Sequence, residues 1–532
     1  MSSPVFRSGS TSSSTSGSTS KTRPLRILKF GGTSVGDGAC IRQVAEIVRQ
    51  AAGHSDLVVV VSAMSGVTNK LIEAATRSEA GDRASAAAIF DDIRKQHEAA
   101  MNRLIHSAEQ RRNLTHKMQQ CYEEGERLSQ GTSLLRELTL RTRDSISSLG
   151  ERLSAPLVAA ALLESGVPSA AIDASEIIVT DSNHGAAEPC IQSTRERSQA
   201  RLVAMLKQGI VPVVTGFIGA TSEGVLTTLG RGGSDYSATI LGAALDADEV
   251  IIWTDVDGLM TADPRLVESA RTIPEISYRE AAELAHFGAK VLHPKTLRAV
   301  TQCGIPLWIR NTFAPERPGT RITPSGPGDA GVKGLAAIHD VTLVTVGGPG
   351  MAGVPDVLGR TLAATAAVRA NVLLLSQSSA QNDLCLIVPS GTAKPSVEAL
   401  RHEFAHDAVP ENGDSIKSDS AVAIVTVVGK NMLRSGIAER TFAALGREQV
   451  GIVAIAQGSS DCNLSFVVAE RAVTAALVAL HREFQLGAVP ADGLSSNELS
   501  ADDLRSDELP SDDPSVGSTP YYDSERPIAT GD

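Results

Sequence analysis

Five consecutive apolar residues, Leu57–Val61 (LVVVV), constrain the chain more than any other stretch. A strand with one wet face alternates apolar and polar side chains. A run without alternation has to be covered on both faces, as in a parallel sheet between helices. Leu25–Phe30 (LRILKF), Ile210–Ile218 (IVPVVTGFI), Glu249–Trp253 (EVIIW) and Pro306–Arg310 (PLWIR) read as further strands, as does Pro168–Thr180. Helical spacing fills the intervals at Ile41–Ala52, through most of 70–165, and at Gln192–Gln208 and Ala281–Lys290. Strands alternating with helices from 25 to about 312 predict one large α/β domain with a mostly parallel sheet sandwiched by helices.

Ligands of such sheets bind in the loops at the strand ends. Lys29 closes the first strand and is followed by Gly31, Gly32 and Ser34. The lysine precedes the glycines, so this is not a P-loop, but a point charge beside exposed amides suits a polyphosphate. A plain strand–turn–helix junction explains the same residues. The second strand ends in SAMSGVTN, where Ser62 and Thr68 are candidates either for a ligand or for the N-cap of the next helix. Leu226–Leu241 (LTTLGRGGSDYSATIL) sets three glycines around Arg231, with Ser234 and Asp235 opening a helix. That combination offers backbone amides, a positive helix end, a guanidinium fork and one carboxylate. Glu151, in GERLS, reads on its own as a first-turn carboxylate favoured by the helix dipole. Asp255, Asp257 and Asp263 crowd the loop after Trp253, but the glutamate that closes a calcium loop is missing. A nucleotide-side loop fits better.

Composition narrows the class. Hydrophobic residues make up 42% of the chain but aromatics only 3%, so the cores rest on Ala, Val, Leu and Ile. Net charge is −12, with no basic excess to neutralise phosphates, so a nucleic-acid partner is not expected. From Ala491 onward eleven acids face two bases, which places most of the negative charge in that tail. Six cysteines without a CxxC pair fit reduced thiols in the cytoplasm. No membrane partner and no protein-built metal site are expected. Residues 1–24, Ser-rich and acid-free, read as a disordered tail, with a short transit peptide as the alternative. Residues 491–532 read as a disordered acidic tail, and Pro/Gly-rich 313–335 as a linker.

Residues 336–490 contain a repeat offset by about 80 residues: 341–353 resembles 421–436, 373–388 resembles 452–468, and LRHEF (400–404) resembles LHREF (480–484). Each copy reads strand, helix, strand, strand, helix, strand (βαββαβ). Two such modules are expected to pair their sheets edge to edge, which covers strands otherwise prone to aggregate.

KFGGTSV (29–35), SAMSGVTN (62–69), GERLS (150–154), GRGGSDYSA (230–238), TDVDG (254–258) and FGAKVLHP (287–294) follow one another in that order. Together they resemble an aspartate kinase of the amino-acid-kinase fold, and the repeat resembles the paired ACT domains of that family. The nearest likeness is to the kinase half of bifunctional aspartokinase–homoserine dehydrogenases. This chain departs from that likeness by running from the repeat into an acidic tail with no dehydrogenase domain up to residue 532, so a single activity is expected.

The resemblance implies transfer of the ATP γ-phosphoryl group, with Mg²⁺, to the β-carboxylate of L-aspartate. It implies catalytic roles for Lys29 and Asp235. It places Thr68, Glu151, Phe217, Arg231 and Ser234 around the amino acid. Lys29, Gly31, Gly32, Ser34, Thr254, Asp255, Met260, Arg265, Lys290 and Val291 go with the nucleotide. Met260 stands where many relatives have tyrosine. Gln377 and Gln457 resemble the glutamines of threonine-binding loops, with lysine the alternative effector. A homodimer or larger homo-oligomer through the ACT modules is also implied.

Overall fold

The structure, a computed structural model, describes residues 23–288, 292–328, 331–347, 356–378, 383–405, 415–433, 436–456 and 461–488. Both tails, as well as Lys290, Val291 and Gln457, lie outside the described residues.

The first domain is built on β1 (Leu25–Phe30), β2 (Asp56–Val61), β3 (Ser169–Ile172), β4 (Val211–Thr215), β5 (Ile218–Ala220), β6 (Leu226–Thr228), β7 (Glu249–Thr254), β8 (Glu275–Ser277), β9 (Leu307–Asn311) and β10 (Thr320–Thr323). Eight of these form one sheet in the order β3-β4-β2-β1-β7-β9-β10-β8, while β5 and β6 make a separate hairpin. All neighbours in the large sheet are parallel except β9 and β10. The unbroken apolar run in β2 has the predicted cause. Leu57, Val59 and Val61 enter one core, under helices that include Gly38–Ala52 and Leu149–Glu164, and Val58 and Val60 enter the other. Each such side chain contributes about 1.5–3 kcal/mol by leaving water.

The same alternation aims the first lysine. In β1, Leu28 and Phe30 join the first core and Ile27 the second. Lys29 therefore points to the side of Ile27, where the helix Gly233–Leu245 lies. The chain leaves β1 for β2 on one side and reaches β7 on the other, so β1 stands at the point where strand order reverses. The crevice beyond it is the expected ligand position.

Several local expectations need correction. Pro168–Thr180 is not one strand: β3 stops at Ile172, and Asp173 turns the chain by accepting from Ser175 N. IVPVVTGFI breaks between β4 and β5 because Phe217 takes a left-handed φ of 68°. The helix expected at 281–290 is Tyr278–His286, opened by a capping box between Ser277 and Glu280 that the sequence spelled as S-x-x-E. The 313–335 stretch is more than a linker, since β10 lies in the large sheet between β9 and β8. Leu140–Glu164 is, by length and composition alone, long and apolar enough to cross a membrane. Its most apolar window is 83% buried within the fold, as in a core helix.

The repeat forms one antiparallel sheet of β11 (Gly331–Val346), β12 (Leu374–Ser378), β13 (Asp383–Pro389), β14 (Ile416–Lys430), β15 (Ile452–Ala456) and β16 (Asn463–Ala469), ordered β12-β13-β11-β14-β16-β15. Both central strands are double length. Gly331–Ile338 pairs with Ile424–Lys430, and Leu343–Val346 with Ile416–Asp419, with the register breaking near Val341. The second module therefore takes its fourth strand from residues that precede the first module. It is not the simple tandem copy that the sequence suggested, because the strand expected after its last helix is supplied from upstream. The LRHEF repeat has a physical role as well. Arg360 reaches Glu403 at 2.7 Å and lies 4.6 Å over Phe404, and Arg440 reaches Glu483 at 2.9 Å and lies 4.8 Å over Phe484. Each pair ties the two helices of one module together.

This interleaving predicts the behaviour of fragments. A fragment starting at Val341 lacks the fourth strand of the second module, whereas one starting at Gly331 keeps it. Thermal melts should show the shorter fragment losing its cooperative transition or melting well below the longer one.

Candidate active site

Four strand ends meet beyond β1 and enclose a cavity of about 840 Å³. Its wall includes Lys29, Gly31 and Gly32 from β1, Ser62 to Gly66 with Thr68 and Asn69 from the end of β2, Phe217 after β4, and Thr254 with Asp255 at the end of β7. Two helices open onto it without a side-chain N-cap. One is Val67–Glu79, capped by Gly66 and not by Ser62 or Thr68, and the other is Gly233–Leu245, capped by Gly232. Uncapped first-turn amides and the helix dipole favour an anion there. Gly232 has a φ of 72°, which a side chain rarely adopts. A Cβ on Gly233 would stand 2.6 Å from the Phe217 ring, so glycine lets this helix start press against the strand end. Phe217 is held in its left-handed conformation by a hydrogen bond from its N–H to Ser237 Oγ at 2.9 Å.

The buried Lys29 ammonium lies 2.5 Å from Asp235 Oδ1. Glu151, on the same wall, is 3% exposed, and its Oε2 has no hydrogen-bond partner. Burial pushes its carboxyl up to about 8, against the opposing pull of the Ala63 amide, its own amide and Lys29. Arg231 is exposed on the rim and forms no ion pair among the described residues. The site thus holds one matched pair, one carboxyl without a cation and one guanidinium without an anion. A small zwitterion with an extra carboxylate complements that set, and the uncapped helix starts suit a phosphate chain.

Thr68, Ser234, Thr254 and Asp255 also lie in the wall. Ser34 does not: it is fully buried, and its hydroxyl bonds Thr312 Oγ1 at 2.7 Å, which fixes the loop after β1 to β9. Met260 and Arg265 lie on the loop after β7, away from this wall. Met260 Sδ accepts from Thr272, and Arg265 is paired with Asp263 at 2.6 Å. Asp257 is engaged by Asn311 at 2.7 Å and by Arg317. The acidic loop is thus spent on local partners, Asp255 included, whose Oδ1 accepts from Thr254 Oγ1 at 3.2 Å. Sequence reading missed Asn69, Arg143, Asp144, Ser147, Gly185 and Thr228, all of them in the wall. Arg143, Asp144, Ser147 and Gly185 sit within ordinary-looking helix or turn stretches, and only the fold brings them to the crevice.

Comparison with known proteins agrees with this fold. A model described as the amino acid kinase family matches residues 24–311, and an ACT domain model matches 344–404 and 425–484. The chain is 32% identical over 467 residues to aspartokinase 1 of Arabidopsis thaliana, covering 86% of this chain and 80% of that one. The chain belongs to the amino acid kinase family, among its aspartokinases. The bifunctional aspartokinase/homoserine dehydrogenase 1 of Arabidopsis thaliana is 34% identical over 472 residues, 86% of this chain. The chain spans about half the length of such bifunctional relatives, 51% in that case. Among solved structures, E. coli aspartokinase III in complex with aspartate and ADP superposes with a TM-score of 0.73 at 30% identity, covering 87% of this aspartokinase and all of that chain. The same enzyme in complex with lysine and aspartate gives 0.72 at 30% identity, covering 86% and 99%.

The Glu151 carboxyl makes a stability prediction with a definite sign. A carboxyl whose pKa is raised by folding binds more protons folded than unfolded, so its effect on stability turns unfavourable as pH climbs from about 4.5 to about 8. Glu151→Gln removes that effect. The melting temperature of the variant, relative to the parent, should rise steadily between pH 5 and pH 8 and level off above it.

Proposed function

We propose that this chain is an ATP-dependent aspartate kinase that moves the γ-phosphoryl group of ATP onto the β-carboxylate of L-aspartate, giving 4-phospho-L-aspartate and ADP. The observation that carries the reading is the coexistence, in one cavity, of the Lys29–Asp235 pair and the buried Glu151 carboxyl, whose Oε2 has no hydrogen-bond partner. Glu151 receives the substrate ammonium, which supplies its missing partner and returns it to the carboxylate form. Arg231 and Ser234 hold a substrate carboxylate, with Thr68 and Phe217 against the carbon chain. The β-carboxylate is ionised at neutral pH, so no base has to generate the nucleophile. Catalysis then reduces to alignment and charge stabilisation. Lys29 spreads its charge over the transferring phosphoryl oxygens. Asp235 holds the ammonium of Lys29 in place through the ion pair and gives it up as the phosphates enter.

Gly31, Gly32, Thr254 and Asp255 accept the nucleotide in this reading, and Met260, Arg265, Lys290 and Val291 extend it toward the base. The wall carboxylates Asp235 and Asp255 fit a divalent ion that arrives mainly on the phosphates, as Mg²⁺ does. Bound Mg²⁺ would supply neutralisation of the β- and γ-phosphate charge.

Replacing Lys29 with Ala should lower kcat by about a thousand-fold while circular dichroism stays unchanged. A coupled ADP-release assay with aspartate, glutamate and uridine monophosphate as acceptors measures this and the acceptor class together. Near-full turnover by the variant would remove Lys29 from the chemistry.

The ACT modules support control by an amino acid, and threonine is the proposed effector. Gln377 is exposed on β12, one edge strand of the regulatory sheet. Assembly through these modules into a homodimer or larger oligomer belongs to the same reading. Titration calorimetry should show heat on adding threonine and none on adding lysine, and the opposite pattern would reverse the assignment. The two Arabidopsis relatives are named chloroplastic. For this chain, six free cysteines support the reducing cytoplasm.

A further inference from the structure

We propose that Asp144 is a positioning residue that sets the distance between Arg231 and Glu151, and with it the length of amino acid the site accepts. The inference rests on the substrate roles given to those two residues above.

Asp144 is 2% exposed and belongs to the helix Leu140–Ser147. Its carboxylate receives four donors from two other parts of the chain. Oδ2 accepts from His184 Nδ1 at 2.9 Å, from Gly185 N at 3.0 Å and from Thr228 N at 3.3 Å. Oδ1 accepts from Thr228 Oγ1 at 2.5 Å. Thr228 ends β6, three residues before Arg231. The 184–185 turn packs directly on the same loop, since a Cβ on Gly230 would stand 2.8 Å from Gly185 O. One carboxylate therefore fixes both the base of the Arg231 turn and the segment lying over it.

The other end of the link is as firm. Ser148 keeps helical backbone angles, its N–H donates to Asp144 O at 3.0 Å, and Arg152 N donates to Ser148 O at 3.2 Å. Hydrogen bonding thus continues from Asp144 into the first turn of the helix that carries Glu151. The clamp for the carboxylate end of the substrate and the clamp for its ammonium end are joined through Asp144. A two-oxygen acceptor is required, because a carboxamide at this position turns one of its acceptors into a donor that faces donors. Selection by chain length needs rigid spacing between two polar anchors, and one methylene is otherwise worth only about 10–200-fold.

The test compares the parent with Asp144→Asn, Thr228→Val and Thr228→Ser in the full chain. It uses steady-state kinetics with aspartate, glutamate and ATP, and hydrogen–deuterium exchange of residues 226–233 in the ligand-free protein. Asp144→Asn should raise the aspartate KM about ten-fold with a smaller change in kcat, leave the ATP KM alone, and reduce the aspartate-over-glutamate preference in kcat/KM about ten-fold. Exchange at 226–233 should quicken. Thr228→Val should shift the same quantities by less, and Thr228→Ser should restore the values that Thr228→Val loses. If Asp144→Asn does not fold, Thr228→Val carries the comparison. Unaltered acceptor KM and preference in a folded variant overturn the proposal, as does unaltered exchange. A parent enzyme that ignores aspartate would instead sink the substrate reading, and the exchange data, which need no turnover, would still decide whether the Asp144 clamp exists.

Discussion

The contact between Lys29 and Asp235 is the interaction on which the rest of this protein turns. A cation buried at the centre of a parallel sheet needs a counter-charge, and an acid at the start of an opposing helix provides one. Neither position is free to wander. The alternation of β1 between two cores aims the lysine, and the glycine-bounded turn before Gly233 sets the height of the helix. In the ligand-free protein the two charges satisfy each other. In the proposed reading a polyphosphate brings enough negative charge to compete for the lysine, so that binding and exposure of the reactive cation become one event.

Glu151 works on the opposite principle. It is a buried acid left without a cation, held near neutrality by low polarity around it. Such a group is unfavourable for the empty fold and favourable for a ligand that carries an ammonium. Arg231, exposed at the rim, is the group proposed to meet the other end of the same ligand. In the proposed reading the cavity thereby separates recognition of the acceptor, by unpaired groups on one side, from handling of the phosphates, by a paired lysine and helix amides on the other.

Much of this was legible in the residues and some of it was not. Continuous apolar runs gave the buried strands at 57–61 and 249–253 because a parallel sheet allows no other composition. The glycine clusters at 31–32 and 230–233 announced the crevice because few other functions require so much bare backbone. Phe217 broke an apparently continuous strand through a backbone angle that no propensity encodes. Asp144 was invisible for a different reason. Its partners at 184, 185 and 228 are distant in sequence, and a lone aspartate in a polar helix reads as a solvated face. The swapped strand of the regulatory pair was hidden likewise, since the repeat predicts how many strands exist but not which copy each one completes.

The interleaved regulatory sheet has a consequence for how the chain is made. Gly331–Ile338 leaves the ribosome before either module exists, and its partner Ile424–Lys430 follows about 86 residues later. At ~5–20 residues per second this leaves the nascent strand waiting roughly 4–17 s. During that interval it is an unpaired edge in a crowded cell, the kind of surface that recruits foreign strands. Lys333 and the turn-forming Asp340, with its φ of 56°, interrupt what would otherwise be a long sticky ribbon. The architecture that fuses two sensors into one sheet thus also makes synthesis a vulnerable moment, with translation speed through these residues affecting the yield of folded enzyme.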